Sequence, residues 1–141
     1  MTGQLRIFLL ALIAAVSAPV LGAEITIENP WIQEGPPTSN TLAGYLTIHN
    51  ASGKPVQLLS AGSEDFHSIE LHTTEVHAGM VHMNKQHALK IDAGGSLTLG
   101  PGGSHLMLMN KKRTLRSGDK VALTLRFDTG ESIDVLAEVR R

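Results

Sequence analysis

The chain spaces two histidines and two methionines in a way that suits a soft metal ion. His72 is followed after ten residues by Met83, and after a further twenty-one residues by His105 and Met107, which are separated by one residue. Imidazole nitrogen and thioether sulfur favour Cu(I) over hard cations such as Mg²⁺ and Ca²⁺. Because the chain contains no cysteine, no thiolate competes for the ion. We therefore identify these four side chains as candidate ligands of one Cu(I) ion.

Strand geometry brings part of this set together before any fold is known. Residues two apart on a strand point to the same face, so His105 and Met107 project side by side while Leu106 points the other way, into the core. The same alternation points His72 to the face of its strand that lies away from the core, whereas its neighbour Leu71 points into the core. The alternative is that the methionines only fill a hydrophobic core, which is the usual role of this residue.

The first 23 residues have the pattern of an export signal. A ten-residue apolar run from Ile7 to Val16 is too short to span a bilayer, and the segment Leu21-Gly22-Ala23 fits a cleavage site after Ala23. The alternative is an uncleaved membrane anchor. Residues 1–23 are thus predicted to be a signal peptide, and residues 24–141 to be one copper-binding domain. No cysteine follows the run, which excludes lipid anchoring at that point.

The composition of the predicted mature chain excludes several classes of partner. Removing Arg6 with the signal changes the formal net charge from −1 to −2, which argues against nucleic acid as a partner. No segment after residue 23 approaches transmembrane length. We expect a monomer that is stabilised by packing alone, because no disulfide is available to an exported chain without cysteine.

Short alternating segments separated by Gly, Pro, Asn, Asp and Ser predict an all-β fold, an antiparallel sandwich or barrel. Residues 121–127 and 133–139 alternate apolar and polar side chains around the turn at 128–130. The prolines, Pro30 among them, are expected at strand ends or in loops. The other predicted strands are Glu24–Asn29, Leu42–Asn50, Val56–Ala61, Ser68–Glu75, Met80–Asn84, Ala88–Ile91, Ser96–Leu99 and His105–Asn110.

The chain resembles the periplasmic copper(I) chaperones of the PCuAC type. The signature of that family is a His, ten residues, a Met, twenty-one residues and His-x-Met, and His72, Met83, His105 and Met107 fill it without a gap. The resemblance covers essentially the whole chain after residue 23. Further segments that carry it are Asn29-Pro30-Trp31, Ala43-Gly44-Tyr45-Leu46-Thr47-Ile48, Glu70-Leu71-His72, Pro101-Gly102-Gly103-Ser104-His105-Leu106-Met107-Leu108 and Gly118-Asp119.

The resemblance implies a cupredoxin-like antiparallel β-sandwich of Greek-key type that holds one Cu(I) at an exposed site in the periplasm. It also implies delivery of copper towards the copper centres of terminal (cytochrome c) oxidases. The acceptor would be an oxidase subunit or a thiol-bearing assembly factor. The alternative within this reading is a protein of copper sequestration and tolerance.

Two further clusters are candidates for function. His77, Met80, His82 and His87 crowd around Met83 in sequence, and could form an auxiliary ligand set or a weak Cu(II) site. The alternative is an exposed polar hairpin with incidental histidines. Lys111, Lys112, Arg113 and Arg116 form a basic cluster that is either a solvated loop or a docking patch for an acidic acceptor.

The sequence argues against catalysis. It contains neither a Gly-x-Ser-x-Gly elbow nor a His-Glu-x-x-His motif, and without cysteine it has no Cys/His dyad. Blue-copper electron transfer requires a cysteine thiolate, so that function is excluded as well. We therefore predict that the protein is not an enzyme. A metal-free adhesion or scaffold sandwich is the remaining rival.

Overall fold

The computed structural model describes residues 24–141, which form ten β-strands and confirm the all-β prediction. The predicted signal peptide lies outside the described residues. Within the described part of the chain, no helix has the length and apolar character needed to cross a bilayer. The strands are β1 (Ile25–Gln33), β2 (Leu42–Asn50), β3 (Val56–Gly62), β4 (Phe66–His77), β5 (Met80–Gln86), β6 (Leu89–Ile91), β7 (Ser96–Leu99), β8 (His105–Lys111), β9 (Lys120–Phe127) and β10 (Ser132–Arg140).

All ten strands join one continuous hydrogen-bonded sheet with the order β5-β4-β8-β2-β1-β10-β9-β3-β6, and β7 pairs with β2 beyond the end of β8. The pairing is antiparallel throughout this sheet except between β1 and β10, which run parallel. A parallel pair needs a long connection, and here nearly the whole domain lies between its two strands. The purely antiparallel expectation is thus corrected at this one pair.

The sheet folds over on itself around a single hydrophobic core, as expected for a cupredoxin-like sandwich. Alternate residues of the central strands are fully buried, and in β9 these are Val121, Leu123 and Leu125. β3 and β4 are not hydrogen-bonded to each other, yet they lie in contact because a short loop carries the chain from one half of the sheet to the other. β4 and β8 turn Leu71 and Leu106 into this core.

β1 extends through Pro30, which the sequence placed at a strand end. The β1–β2 register shifts between Glu28 and Trp31, and Asn29 within this bulge has a φ of 48°. A bulge leaves a residue unpaired, so a proline without an N–H is accommodated there, and asparagine tolerates positive φ better than most residues. The predicted strand end at Asn29 is therefore wrong by four residues.

β4 and β5 form a hairpin that is longer than predicted. The strands pair from Leu71 with Gln86 out to His77 with Met80, around the turn residues Ala78 and Gly79. Both turn residues have positive φ, 50° and 77°, as a type I′ hairpin turn requires. The half of the hairpin nearest this turn is exposed on both faces.

Candidate metal centre

Three strands at one end of the sheet, β5, β4 and β8, place the candidate ligands on a common face. In the β4–β8 ladder His72 lies directly opposite His105, and in the β4–β5 ladder it lies directly opposite Lys85. Since side chains alternate along a strand, His72 and His105 point away from the core that receives Leu71 and Leu106. The sequence-based prediction of this orientation agrees with the register.

The two imidazoles adjoin each other and are shielded from water. Their ring centroids lie 5.6 Å apart at an interplanar angle of 35°. The residues are only 8% and 6% exposed, although they face away from the main core. Among residues 24–141 the only other buried polar residue is Asn50, whose side chain bonds to the backbone carbonyls of Lys54, Ile91 and Asp92.

The hydrogen bonds of His72 leave one ring nitrogen available. Nε2 lies 2.8 Å from Oε2 of Glu70. Because a carboxylate only accepts hydrogen bonds, Nε2 carries the proton and Nδ1 of the neutral ring keeps the lone pair. Nδ1 is the one buried side-chain nitrogen or oxygen in the described residues that has no hydrogen-bond partner. A buried polar atom without a partner is costly, and a metal ion that accepts the lone pair would remove this cost.

His105 is oriented by the backbone of its own loop. Nδ1 lies 3.1 Å from the carbonyl oxygen of Gly103, so it donates its proton there and the lone pair is on Nε2. This use of one ring nitrogen to fix the other is typical of metal-binding histidines. Each of the two adjacent imidazoles thus presents one basic nitrogen.

The two methionines lie on the same face as the imidazoles but differ in how far their side chains are exposed. Met107 is half-buried and sits opposite Glu70, two residues along β8 from His105. Met83 sits opposite Thr74, one diagonal step from His72 on the neighbouring strand, and remains 58% exposed. A diagonal neighbour lies roughly 7–8 Å away, within reach of a long side chain. The structure therefore brings His72, His105 and Met107 together, while the Met83 thioether would have to swing inward to join them.

Glu70 is a further residue of the candidate centre, which the spacing of histidines and methionines does not reveal. Its carboxylate accepts hydrogen bonds from His72 and from Lys85 Nζ at 3.1 Å. These two bonds, first that from His72 and then that from Lys85, lower the pKa of Glu70 below its ordinary value, so the group is ionised. The signal was present in the sequence as a glutamate two residues before His72 on a strand, where both side chains share a face.

Replacing Glu70 with glutamine tests this orienting role. Outer partners of metal-binding histidines typically contribute a factor of about 10–100 to metal affinity, because they fix the tautomer and raise the basicity of the ring. We expect Glu70→Gln to weaken Cu(I) binding by about that factor, measured against a chromophoric Cu(I) chelator. Glu75→Gln is the matched control, since Glu75 has the same relation to His77. Equal weakening by both variants would contradict the prediction.

The auxiliary cluster does not share a face with Met83. Alternation along the hairpin puts Met83 on the side of His72, whereas His77, Met80 and His82 lie on the opposite side. His87 falls after the end of β5. These residues therefore cannot surround Met83 as their closeness in sequence suggested.

Part of the basic cluster of Lys111, Lys112, Arg113 and Arg116 stabilises the fold. Arg113 makes two hydrogen bonds to the carboxylate of Asp65, at 2.8 and 3.0 Å, and a third to the carbonyl oxygen of Lys120. Asp65 raises the pKa of Arg113 through the same bonds. Lys111 donates to the carbonyl oxygen of Pro37. At least two of the four cations thus tie loops together.

A cleft at another place on the surface lies away from the candidate metal centre. It has a volume of about 540 Å³ and is formed by the turns around residues 52–56 and 128–131 and the start of β1. None of the four candidate ligands lines it. The candidate centre, with its two buried imidazoles, is therefore separate from this cleft.

Comparison with known proteins places the chain in a family. The model of the LpqE-like family, described as "Putative lipoprotein LpqE-like", matches residues 25–139. A protein of Leifsonia xyli subsp. xyli (strain CTCB07), named "Putative lipoprotein Lxx21020", is 31% identical over 117 residues, which are 82% of this chain and 69% of that protein.

Solved structures agree with the fold. The Cu(I) form of DR1885 from Deinococcus radiodurans is 34% identical, with a TM-score of 0.71 over 86% of this chain and 81% of that one. The copper-bound PCuAC domain of PmoF2, 24% identical, has a TM-score of 0.72 over 84% of this chain and 93% of that one, which bears on the fold alone. The resemblance to PCuAC-type domains is confirmed by the shared β-sandwich, and the match across residues 25–139 leads to one conclusion: the chain belongs to the LpqE-like family.

Proposed function

We propose that this protein is an exported copper chaperone that binds one Cu(I) ion through His72, Met83, His105 and Met107. The observation that carries the proposal is the buried Nδ1 of His72, which has no hydrogen-bond partner and lies beside a second imidazole. Both rings have their protons fixed by other groups, so both basic nitrogens are left for an ion. The Cu(I) form of the 34% identical DR1885 supports copper as this ion.

The ligand chemistry suits a protein that carries Cu(I) and releases it better than one that keeps the ion as a permanent cofactor. Imidazole and thioether are neutral, so bound Cu(I) would keep its positive charge, and soft sulfur discriminates against hard cations. Thioethers hold Cu(I) less firmly than thiolates do. A cysteine-bearing acceptor can therefore take the ion by successive ligand exchange, without a redox step.

The exposure of Met83 gives this exchange a starting point. Met83 lies on β5, the outermost strand at its end of the sheet, and is 58% exposed, whereas both imidazoles are buried. An incoming thiolate would replace the Met83 thioether first, because no other ligand of the set is as accessible. The remaining ligands would then be replaced in order from the sheet edge towards the buried imidazoles.

A copper chaperone needs an acceptor for its ion. We infer delivery towards the copper centres of terminal (cytochrome c) oxidases through an oxidase subunit or a thiol-bearing assembly factor. Sequestration for copper tolerance is the second candidate. Transfer of Cu(I) to a purified acceptor domain separates them, because a sequestering protein would retain the ion in the presence of an equimolar acceptor.

Export to the periplasm is supported by the apolar N-terminal run and by the lipoprotein names of the relatives. On this proposal residues 1–23 are removed as a signal peptide and residues 24–141 act as the copper domain. Mass spectrometry of the protein recovered from the periplasm checks the cleavage point. A recovered mass that includes residues 1–23 would contradict it.

Removal of either thioether should weaken Cu(I) binding while the fold is kept. We expect Met107→Ala and Met83→Ala each to lower Cu(I) affinity at least tenfold in a competition titration, because each variant leaves the ion one ligand short. Neither side chain belongs to the hydrophobic core, so the thermal midpoint without metal should change little.

Matched controls exist for both variants. Met109 lies two residues beyond Met107 on the same strand and is also half-buried, and Met80 is an exposed methionine of the same hairpin as Met83. Met109→Ala and Met80→Ala should bind Cu(I) like the unaltered protein. Affinities that are unchanged in Met83→Ala and Met107→Ala would rule out the proposed ligand set.

A further inference from the structure

The exposed half of the β4–β5 hairpin repeats the local arrangement of the candidate metal centre on its other face. In the metal centre, Nε2 of His72 donates to the glutamate two residues earlier, and a second imidazole lies 5.6 Å away across the ladder. In the hairpin, Nε2 of His77 donates to Glu75, again two residues earlier, at 3.1 Å, and the ring of His82 lies 6.2 Å away.

The hydrogen bond to Glu75 fixes the proton of His77, as the bond to Glu70 does for His72. Because the carboxylate accepts the Nε2 proton, Nδ1 of His77 keeps the lone pair. His82 lies directly opposite Glu75 in the ladder, which makes it a diagonal neighbour of His77 on the same face. Met80 lies directly opposite His77 and adds a thioether to this face. The face therefore carries two imidazoles, one carboxylate and one thioether.

The two clusters differ in exposure, and exposure selects the ion. The side chains of His77 and Glu75 are 70% and 54% exposed, whereas that of His72 is 10% exposed. Water can thus complete a coordination shell in the hairpin cluster. Imidazole, carboxylate and water suit Cu(II), which also stands highest among first-row divalent ions in affinity for such ligands, and a thioether can serve as a weak axial ligand.

We propose that His77 and His82, with Glu75 and Met80 beside them, form a second copper site that takes Cu(II). The site lies on the face of the hairpin opposite the proposed Cu(I) ligand Met83. Among residues 24–141 no three His, Asp or Glu side chains are already gathered into a metal-ligand group, so the ion must draw these exposed side chains together. The affinity should accordingly be lower than that of the buried pair for Cu(I).

Electron paramagnetic resonance of the full chain, titrated with Cu(II), tests the site. The unaltered protein should show a bound Cu(II) signal with nitrogen couplings, and His82→Ala should weaken this binding at least tenfold. His67→Ala is the control, because His67 is an exposed histidine near the start of the same strand, roughly 33 Å from His77 along β4. The His67→Ala variant should bind Cu(II) like the unaltered protein.

A third variant separates this site from the Cu(I) centre. His72→Leu should keep the Cu(II) signal, and His82→Ala should keep full Cu(I) affinity. If Cu(II) binding is lost in His72→Leu and kept in His82→Ala, the ion occupies the buried pair and the second site is refuted. Failure of the Cu(I) proposal would instead appear as absence of Cu(I) binding by the unaltered chain. Because His82 is exposed, its substitution should leave the fold intact, and a thermal melt verifies this.

Discussion

His72→Leu should make the metal-free protein more stable and abolish its stabilisation by Cu(I). In the unaltered chain a buried nitrogen of His72 has no partner, and such atoms typically cost about 1–3 kcal/mol. Leucine fills similar space without a polar atom. Glu70 loses one hydrogen bond but keeps Lys85 and contact with water. We expect a net gain of about 1 kcal/mol, or about 4 °C in the thermal midpoint.

When Cu(I) is added, the His72→Leu variant should become less stable than the unaltered chain. A ligand at one hundred times its Kd stabilises a folded protein by about 2.7 kcal/mol, so Cu(I) should raise the midpoint of the unaltered chain above that of His72→Leu. The variant itself should show no shift with Cu(I). Paired thermal melts with and without Cu(I) under anaerobic conditions measure both effects. If the metal-free variant is less stable than the metal-free unaltered chain, the imidazole of His72 stabilises the fold and is not a metal ligand that lacks its ion.

Leu106→Ala should have the largest effect on the fold. Leu106 is 0% exposed and lies between His105 and Met107, pointing into the core. Truncating a buried leucine to alanine typically costs about 2–5 kcal/mol, a large share of the 5–15 kcal/mol that stabilises most domains. The urea midpoint should fall accordingly.

An exposed leucine provides the control for this variant. Leu136 on β10 is 64% exposed, so Leu136→Ala should change the free energy of unfolding by no more than about 0.5 kcal/mol. Under conditions where Leu106→Ala remains folded, it should still bind Cu(I), because it removes no ligand. A loss of less than about 1 kcal/mol in Leu106→Ala would contradict the core assignment.

Periodicity was sufficient to predict most strands and the face on which the proposed ligands lie. Leu106 and Leu108 alternate with His105 and Met107, and a period of two permits only one arrangement once the leucines are buried. The bulge at Asn29 and Pro30 was missed, because a proline is an equally good signal for the end of a strand. The parallel pairing of β1 with β10 joins distant segments, and no local pattern encodes it.

The faces of the hairpin could have been predicted, whereas the hydrogen bonds could not. Alternation alone separates His82 from Met83, so the idea of one crowded ligand set gave too little weight to strand geometry. The choice of Nδ1 in His72 and Nε2 in His105 depends on Glu70 and on the Gly103 carbonyl, whose positions follow from the register. Which strands pair, and in which register, is a tertiary property that local patterns in one sequence do not reveal.

The alternation along β8 also restricts how the length of this strand can change over evolutionary time. Insertion of a single residue before His105 without compensation in its neighbours would rotate the strand by half a period, so that leucines would meet water and the histidine and methionine would meet the core. Insertions or deletions of two residues would preserve the alternation, although they would shift the ladder to β4. The proposed copper ligands and the core leucines of β8 therefore depend on the same alternation, and a change that displaces one set also displaces the other.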